Sequence, residues 1–202
     1  MHCKCDRSMK KIKNSKHLLE VEMMLHNKTI TLGITACSPA IKALDLIREL
    51  KHSGADVHVI MTPNSVNFVS PLLVQREAGT PVLIEQFELP KAFDSNHQAV
   101  LVKSDLLLIA PASANILGKA AHGIADNLLS TRILSAKTPI MVATHINPTM
   151  FSKPSVQRNI AQLKEDGFIF VTNPDAENSA SGLFPGVSAI LEKVNQIMMP
   201  KV

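Results

Sequence analysis

The chain has 202 residues, which suits one domain with length to spare for a tail. Hydrophobic residues make up 46% of it, which argues against disorder, and the longest apolar runs, Leu106–Ala110 and Pro139–Ala143, are far too short to span a bilayer. The net charge of +4 is modest, several of the basic side chains sit in the stretch from Lys4 to Lys16, and there is no Trp or Tyr anywhere, so a nucleic-acid interface is not expected.

Residues 1–26 read as a solvated basic extension, and residues 27–202 as the folded domain. The first residues lack an apolar stretch followed by a small-residue cleavage site, so neither signal peptide nor membrane anchor is expected. Three cysteines, Cys3, Cys5 and Cys37, are an odd number without zinc-ligand spacing. Their usage fits a reducing cytoplasm, and no metal is expected.

Lys28–Ala36 alternates β-branched and small residues and reads as a buried strand. Pro39–Ser53 carries Ile41, Leu44, Ile47 and Leu50 at helical spacing and is closed by Gly54. Asp56–Met61 is a second strand, and Ser65–Gln75 a helix after the turn at Thr62 and Pro63. Asp105–Pro111 is a continuous apolar strand. One helix over Ala112–Ser130 follows, weakened by Gly118 and Gly123. Pro139–Ala143 is a strand, Ser155–Asp166 a helix, Phe168–Val171 a strand and Val187–Met199 a helix. The stretch Asn173–Gly186, rich in Asn, Ser, Gly and Pro, is a loop of a length that usually serves function. Strands alternating with amphipathic helices imply an α/β domain with a parallel sheet covered on both faces.

Such sheets bind ligands beyond the carboxyl ends of their strands. Thr35-Ala36-Cys37-Ser38, with Pro39 in the first helical turn, is suited to an anion at a helix N-terminus, although Gly33 stands alone and completes no phosphate-loop motif. The same residues also suit an ordinary Ser cap. Thr62-Pro63-Asn64-Ser65 makes a second hydroxyl-rich exit, and Phe68 beyond it suits either the core or the face of a planar ligand. Pro111-Ala112-Ser113-Ala114-Asn115 offers small residues for close approach of a flat ring and polar ones for its edge. Asp126 and Asn127 fall within an apolar helical pattern, where they reach a ligand or a subunit contact or else face solvent. His97 precedes the strand Asp105–Pro111 and is suited to proton transfer, with His122 and His145 as competitors on spacing alone.

Taken together, these segments resemble the homo-oligomeric flavin-containing cysteine decarboxylase family. That family includes the peptidyl-cysteine decarboxylases of lanthipeptide biosynthesis, such as the epidermin and mersacidin enzymes, and phosphopantothenoylcysteine decarboxylase of coenzyme A biosynthesis. The resemblance runs from about Lys28 to Gly186. Pro111–Thr131 (PASANILGKAAHGIADNLLST) looks like the family's PASANT block and its G-[IL]-[AC]-D-[DN]-L-L segment. THINPTMF is similar to the PxMNxxMW motif, with Asn147 and Met150 retained and Thr144, Ile146 and Phe151 replacing Pro, Met and Trp. NHQAVLVKSD places His97 at the spacing of the family's active-site histidine.

The resemblance implies a single-domain, Rossmann-like (flavodoxin-like) doubly wound subunit. It also implies assembly into homotrimers or homododecamers, with FMN at a subunit interface. Ala36, Ser38, Thr62 and Ser65 would then hold the phosphate or ribityl chain, and Phe68 would flank the ring. Ser113, Ala114 and Asn115 would border the isoalloxazine, and Asp126 and Asn127 would support flavin and trimer. His97 would act as base, while Asn147 and Met150 position the cysteine carboxylate and the flavin. The implied reaction is oxidation of the thiol-bearing CH2 by FMN, so that the resulting thioaldehyde accepts the electrons as CO2 leaves, giving an enethiol.

The coenzyme A branch also reduces the enethiol, with a cysteine in an ACG-x-x-G-x-GRM segment as proton source. Here Ala180-Ser181-Gly182 stands at that place and the GRM ending is absent. A serine hydroxyl is far less acidic than a thiol. The expected substrate is therefore a C-terminal peptidyl-cysteine, contacted by Asn147, Met150 and Ser181. Phosphopantothenoylcysteine is the alternative, and a non-catalytic flavin-binding regulatory subunit the second alternative.

Overall fold

The strands form because their sequences are apolar on both faces, as required when helices cover a parallel sheet on each side. The structure, a computed structural model, describes residues 24–86, 103–171 and 182–198. Six described strands run parallel: β1 (Thr29–Ile34), β2 (Asp56–Met61), β3 (Val82–Leu83), β4 (Leu106–Ala112), β5 (Ile140–Thr144) and β6 (Ile169–Val171). Their spatial order is β3-β2-β1-β4-β5-β6. The chain thus winds outward from β1 in one direction and from β4 in the other, which leaves a crevice at the β1/β4 junction.

Seven α-helices are described: α1 (Lys42–His52), α2 (Pro71–Ala78), α3 (Ala114–Ala121), α4 (Leu128–Leu134), α5 (Pro148–Phe151), α6 (Pro154–Glu165) and α7 (Val187–Met198). Alternation along the strands sorts the core into two layers. Leu106, Leu108 and Ala110 pack with α1, α2 and α7, while Leu107, Ile109 and Ala112 pack with α3, α4 and α6. Each fully buried Leu or Ile contributes about 1.5–3 kcal/mol relative to exposure. Gly33 sets how closely α4 lies on β1, since a Cβ there would stand 2.6 Å from Leu129 Cδ1. Leu25 is fully buried and already belongs to the core. No described helix is long and apolar enough to cross a membrane.

Four local expectations change. Pro39–Ser53 is not one helix: a 3-10 turn, Ser38–Ile41, precedes α1, and Cys37 rather than Ser38 holds the cap position. Ser65–Gln75 likewise divides into a 3-10 turn at Pro63–Asn67 and α2, whose first residue is Pro71. The helix expected over Ala112–Ser130 breaks into α3 and α4, with Gly123 at φ +65° in the gap, where a side chain is disfavoured. Asp126 therefore lies in a loop and Asn127 caps a helix, rather than both sitting inside one. The short edge strand β3 was not expected.

Candidate functional site

Beyond the carboxyl ends of β1, β2, β4 and β5 lies a cavity of about 1000 Å3. Thr35 ties the two central exits together. Its Oγ1 donates to the Pro111 carbonyl at 2.7 Å and accepts from the Ser113 backbone N–H at 2.9 Å. Cys37 is buried beside it, with Sγ 3.4 Å from Thr35 Oγ1 and donating to the His145 carbonyl at 3.6 Å. Burial pushes the Cys37 thiol up, against the opposing effect of the Thr35 contact, so the sulfur is protonated at neutral pH. Ala36 and Ser38 line the cavity from the same exit, and Thr62, Asn64 and Phe68 from the β2 exit.

On the β4 side, Ser113 caps α3 by accepting from the Ile116 N–H at 3.4 Å, and Ala114 and Asn115 follow on the wall. Lys119 Nζ reaches both Asp126 carboxylate oxygens, at 2.7 and 2.8 Å. The lysine hydrogen bond holds the Asp126 carboxyl below the usual carboxylate range. Asn127 and Ser130 form a reciprocal capping box at the start of α4: Oδ1 of Asn127 accepts from Ser130 N–H at 3.0 Å, and Oγ of Ser130 from Asn127 N–H at 3.0 Å. The Asn127 amide also donates to Asp126 at 3.2 Å, which joins the cap to the ion pair.

At the β5 exit the His145 N–H donates to the Ala112 carbonyl at 2.9 Å, and the Ile146 N–H to the Gly182 carbonyl at 2.8 Å. Asn147 caps α5, its Oδ1 accepting from Thr149 N–H at 2.9 Å. Gly182 lies under the Phe151 ring, where a Cβ would meet Cδ2 at 2.5 Å, and its φ is +60°. Only glycine fits there. That anchor sets Leu183 on the cavity wall beside Met150.

Thus Ala36, Ser38, Thr62, Phe68, Ser113, Ala114, Asn115, Asp126, Asn127, Asn147 and Met150, drawn from four strand exits, come together on one cavity. Ser65 does not line it. It is fully buried and its hydroxyl donates to the Thr62 carbonyl at 2.6 Å, so it shapes the turn. His97 and Ser181 lie outside the described residues. The wall also holds Cys37, Lys119 and Leu183, which the sequence reading did not single out as site residues, and His145, named there only as a competitor. Cys37 and His145 both lie inside segments already quoted, Thr35–Ser38 and Thr144–Phe151, and that position was the signal available for them.

The charged side chains on this wall, Lys119 and Asp126, neutralise each other. What remains is hydroxyls, turn backbone, small residues and the exposed apolar Phe68, Met150 and Leu183 (48%, 52% and 43%). That combination suits a planar ring with a polar edge and a phosphorylated chain. FMN fits it: Ala36 and Ala114 leave space for close approach of the ring, and the hydroxyl residues Ser38 and Thr62 stand on the same wall at the turns a phosphate would approach.

Residues 18–199 match the family described as Flavoprotein. The coenzyme A biosynthesis bifunctional protein CoaBC of Bacillus subtilis (strain 168) is 37% identical over 148 residues, covering 73% of this chain and 36% of that protein. This chain therefore spans little more than a third of that relative's length. Among solved structures, the FMN-dependent cysteine decarboxylase SpaF superposes with a TM-score of 0.73 at 28% identity, covering 86% of this chain and 98% of that one. A mutant PPC decarboxylase complexed with pantothenoylaminoethenethiol has a TM-score of 0.69 at 27% identity, covering 84% and 97%. The expectation of a Rossmann-like subunit with FMN as cofactor agrees with these likenesses. The chain belongs to the Flavoprotein family.

Proposed function

We propose that this cavity binds FMN and that the protein decarboxylates the cysteinyl residue of phosphopantothenoylcysteine. The observation carrying the reaction class is the convergence of Ser113–Asn115, Asp126–Asn127 and Asn147–Met150 on one cavity at the β1/β4 junction. The substrate follows the curated relatives, whose names place them in coenzyme A biosynthesis. That reverses the order of the sequence expectation, which put a peptide first.

Bound FMN supplies a two-electron acceptor for the thiol-bearing CH2 of the substrate. The chain's own residues orient and protect. Asn147, fixed by its cap, directs its amide to the substrate carboxylate, and Met150 and Leu183 exclude water from the reacting carbon. His97 takes the proton that leaves during oxidation. Its replacement, His97→Asn, lowers turnover by on the order of 100-fold or more while the purified protein keeps its flavin absorbance. Unchanged turnover would remove this base from the reading.

Mass spectrometry after incubation with phosphopantothenoylcysteine, and separately with cysteine-terminated peptides, tests the substrate. Loss of CO2 from phosphopantothenoylcysteine supports the assignment. Loss of two further hydrogens shows that the enethiol is released, as the serine at position 181 predicts. The second reading, oxidative decarboxylation of a peptidyl-cysteine, is favoured by that serine and by the likeness to the peptidyl-cysteine decarboxylase EpiD, 25% identical with a TM-score of 0.69. Turnover of the peptides alone would establish it and overturn the first.

A further inference from the structure

We propose that Lys119 is a specificity-determining residue: its ammonium cancels the carboxylate of Asp126, so that the cavity accepts a flavin bearing a phosphate. The inference rests on the FMN site described above. Among the described residues that line the cavity, Lys119 is the one lysine or arginine and Asp126 the one carboxylate. Cys37 and His145 add no charge at neutral pH, since burial pushes the thiol up and the imidazole down. Among these residues, then, the charge presented to a ligand is decided by the Lys119–Asp126 pair.

The acid has a place in the loop between α3 and α4, where it accepts from the Asn127 amide at 3.2 Å and so joins the cap of α4. Its charge is nevertheless the wrong sign for the ligand. A phosphate monoester carries about two negative charges at neutral pH, and the Asp126 side chain is 53% exposed. Lys119, in the last turn of α3, sets Nζ within 2.8 Å of both carboxylate oxygens. The two charges then act at a distance as a dipole, whose field falls off faster than that of a bare carboxylate. The effect reaches a ligand without either side chain touching it. As a prop the pair matters less, because an ion pair with an exposed member contributes little to stability.

The test is titration of the full-length apoprotein with FMN and, separately, with riboflavin, which has the same ring and ribityl chain but no phosphate. The readout is the ratio of the two affinities. Lys119→Met lowers that ratio about tenfold at low ionic strength, and the deficit shrinks below about threefold in about 1 M salt, where the Debye length is only about 3 Å. Lys119→Arg keeps the ratio. Adding Asp126→Asn to Lys119→Met restores it to within about threefold of wild type, because the uncompensated charge is gone. Asp126→Asn alone raises the ratio, and that variant carries the test if Lys119→Met does not fold. Equal losses of FMN and riboflavin in Lys119→Met, a deficit that salt does not relieve, or a double variant no better than the single one marks the pair as a prop for the loop and overturns the proposal. A lowered ratio in Asp126→Asn alone, or an unchanged one in Lys119→Met, overturns it equally. Failure of the wild-type apoprotein to take up either flavin would instead remove the flavin site, and this inference with it.

Discussion

The two sides of the cavity are built by different means. The β1 and β2 exits are turns: Pro39 and Pro63 each lie within the first turn of a short 3-10 segment, and the polar groups offered are hydroxyls and backbone. The β4 and β5 exits are lined by side chains held in networks, namely the Lys119–Asp126 pair, the Asn127–Ser130 box, the Asn147 cap and the Gly182 anchor. A side whose donors are largely main-chain tolerates side-chain exchange and suits a constant group such as a phosphate. A side made of fixed side chains has its chemistry altered by single substitutions.

The sharpest way to break that contrast is Gly182→Val. With the Phe151 ring over the α-carbon and a positive φ, the valine forces the segment off Ile146 and displaces Leu183. A shift of about 1 Å at a reacting centre costs on the order of 100-fold, so kcat/KM falls by that amount while the circular dichroism spectrum stays folded. Next is Asn127→Ala, which removes one half of a capping box. Urea unfolding should show a loss of about 1 kcal/mol, accompanied by weaker FMN binding because Asp126 loses the amide that steadies it. Smallest are Ser38→Ala and Thr62→Ala on the opposite side. Each should change FMN affinity by less than about fivefold, since the backbone donors of both turns survive. A loss of 100-fold in either would erase the distinction between the two sides.

Much of this was legible in the sequence because parallel strands buried on both faces are continuous apolar runs. LLLIA in β4 and IMVA in β5 have no periodicity to separate strand from buried helix, and it is their short length that favours a strand. The two-residue β3 carries too few residues for any periodicity, so it emerged only from its pairing with Val59 and Ile60. The break between α3 and α4 was foreshadowed by Gly123, yet the apolar spacing continues through it, and only the capping box decides where α4 begins. Among site residues, the polar ones within dense motifs reached the cavity. Ser65 did not, because a hydroxyl in a turn can satisfy its own backbone as readily as a ligand, and spacing does not distinguish the two. Cys37 reads only as part of the Thr35–Ser38 turn, and His145 only as a competitor to His97. A buried thiol looks like a core residue until its 3.6 Å contact with the His145 carbonyl places both at the strand exits.

The hydrogen bond from Ile146 to Gly182 has a consequence for how the protein is made. Walls contributed by Thr35 near the start, Ser113 in the middle and Leu183 near the end mean that no N-terminal portion of the chain contains the whole binding surface. During synthesis the nascent polypeptide completes its flavin site only when the segment leading into α7 has emerged and docked. Cofactor uptake is then a signal of finished folding, and ligand present at that moment draws the last docking step toward completion by mass action.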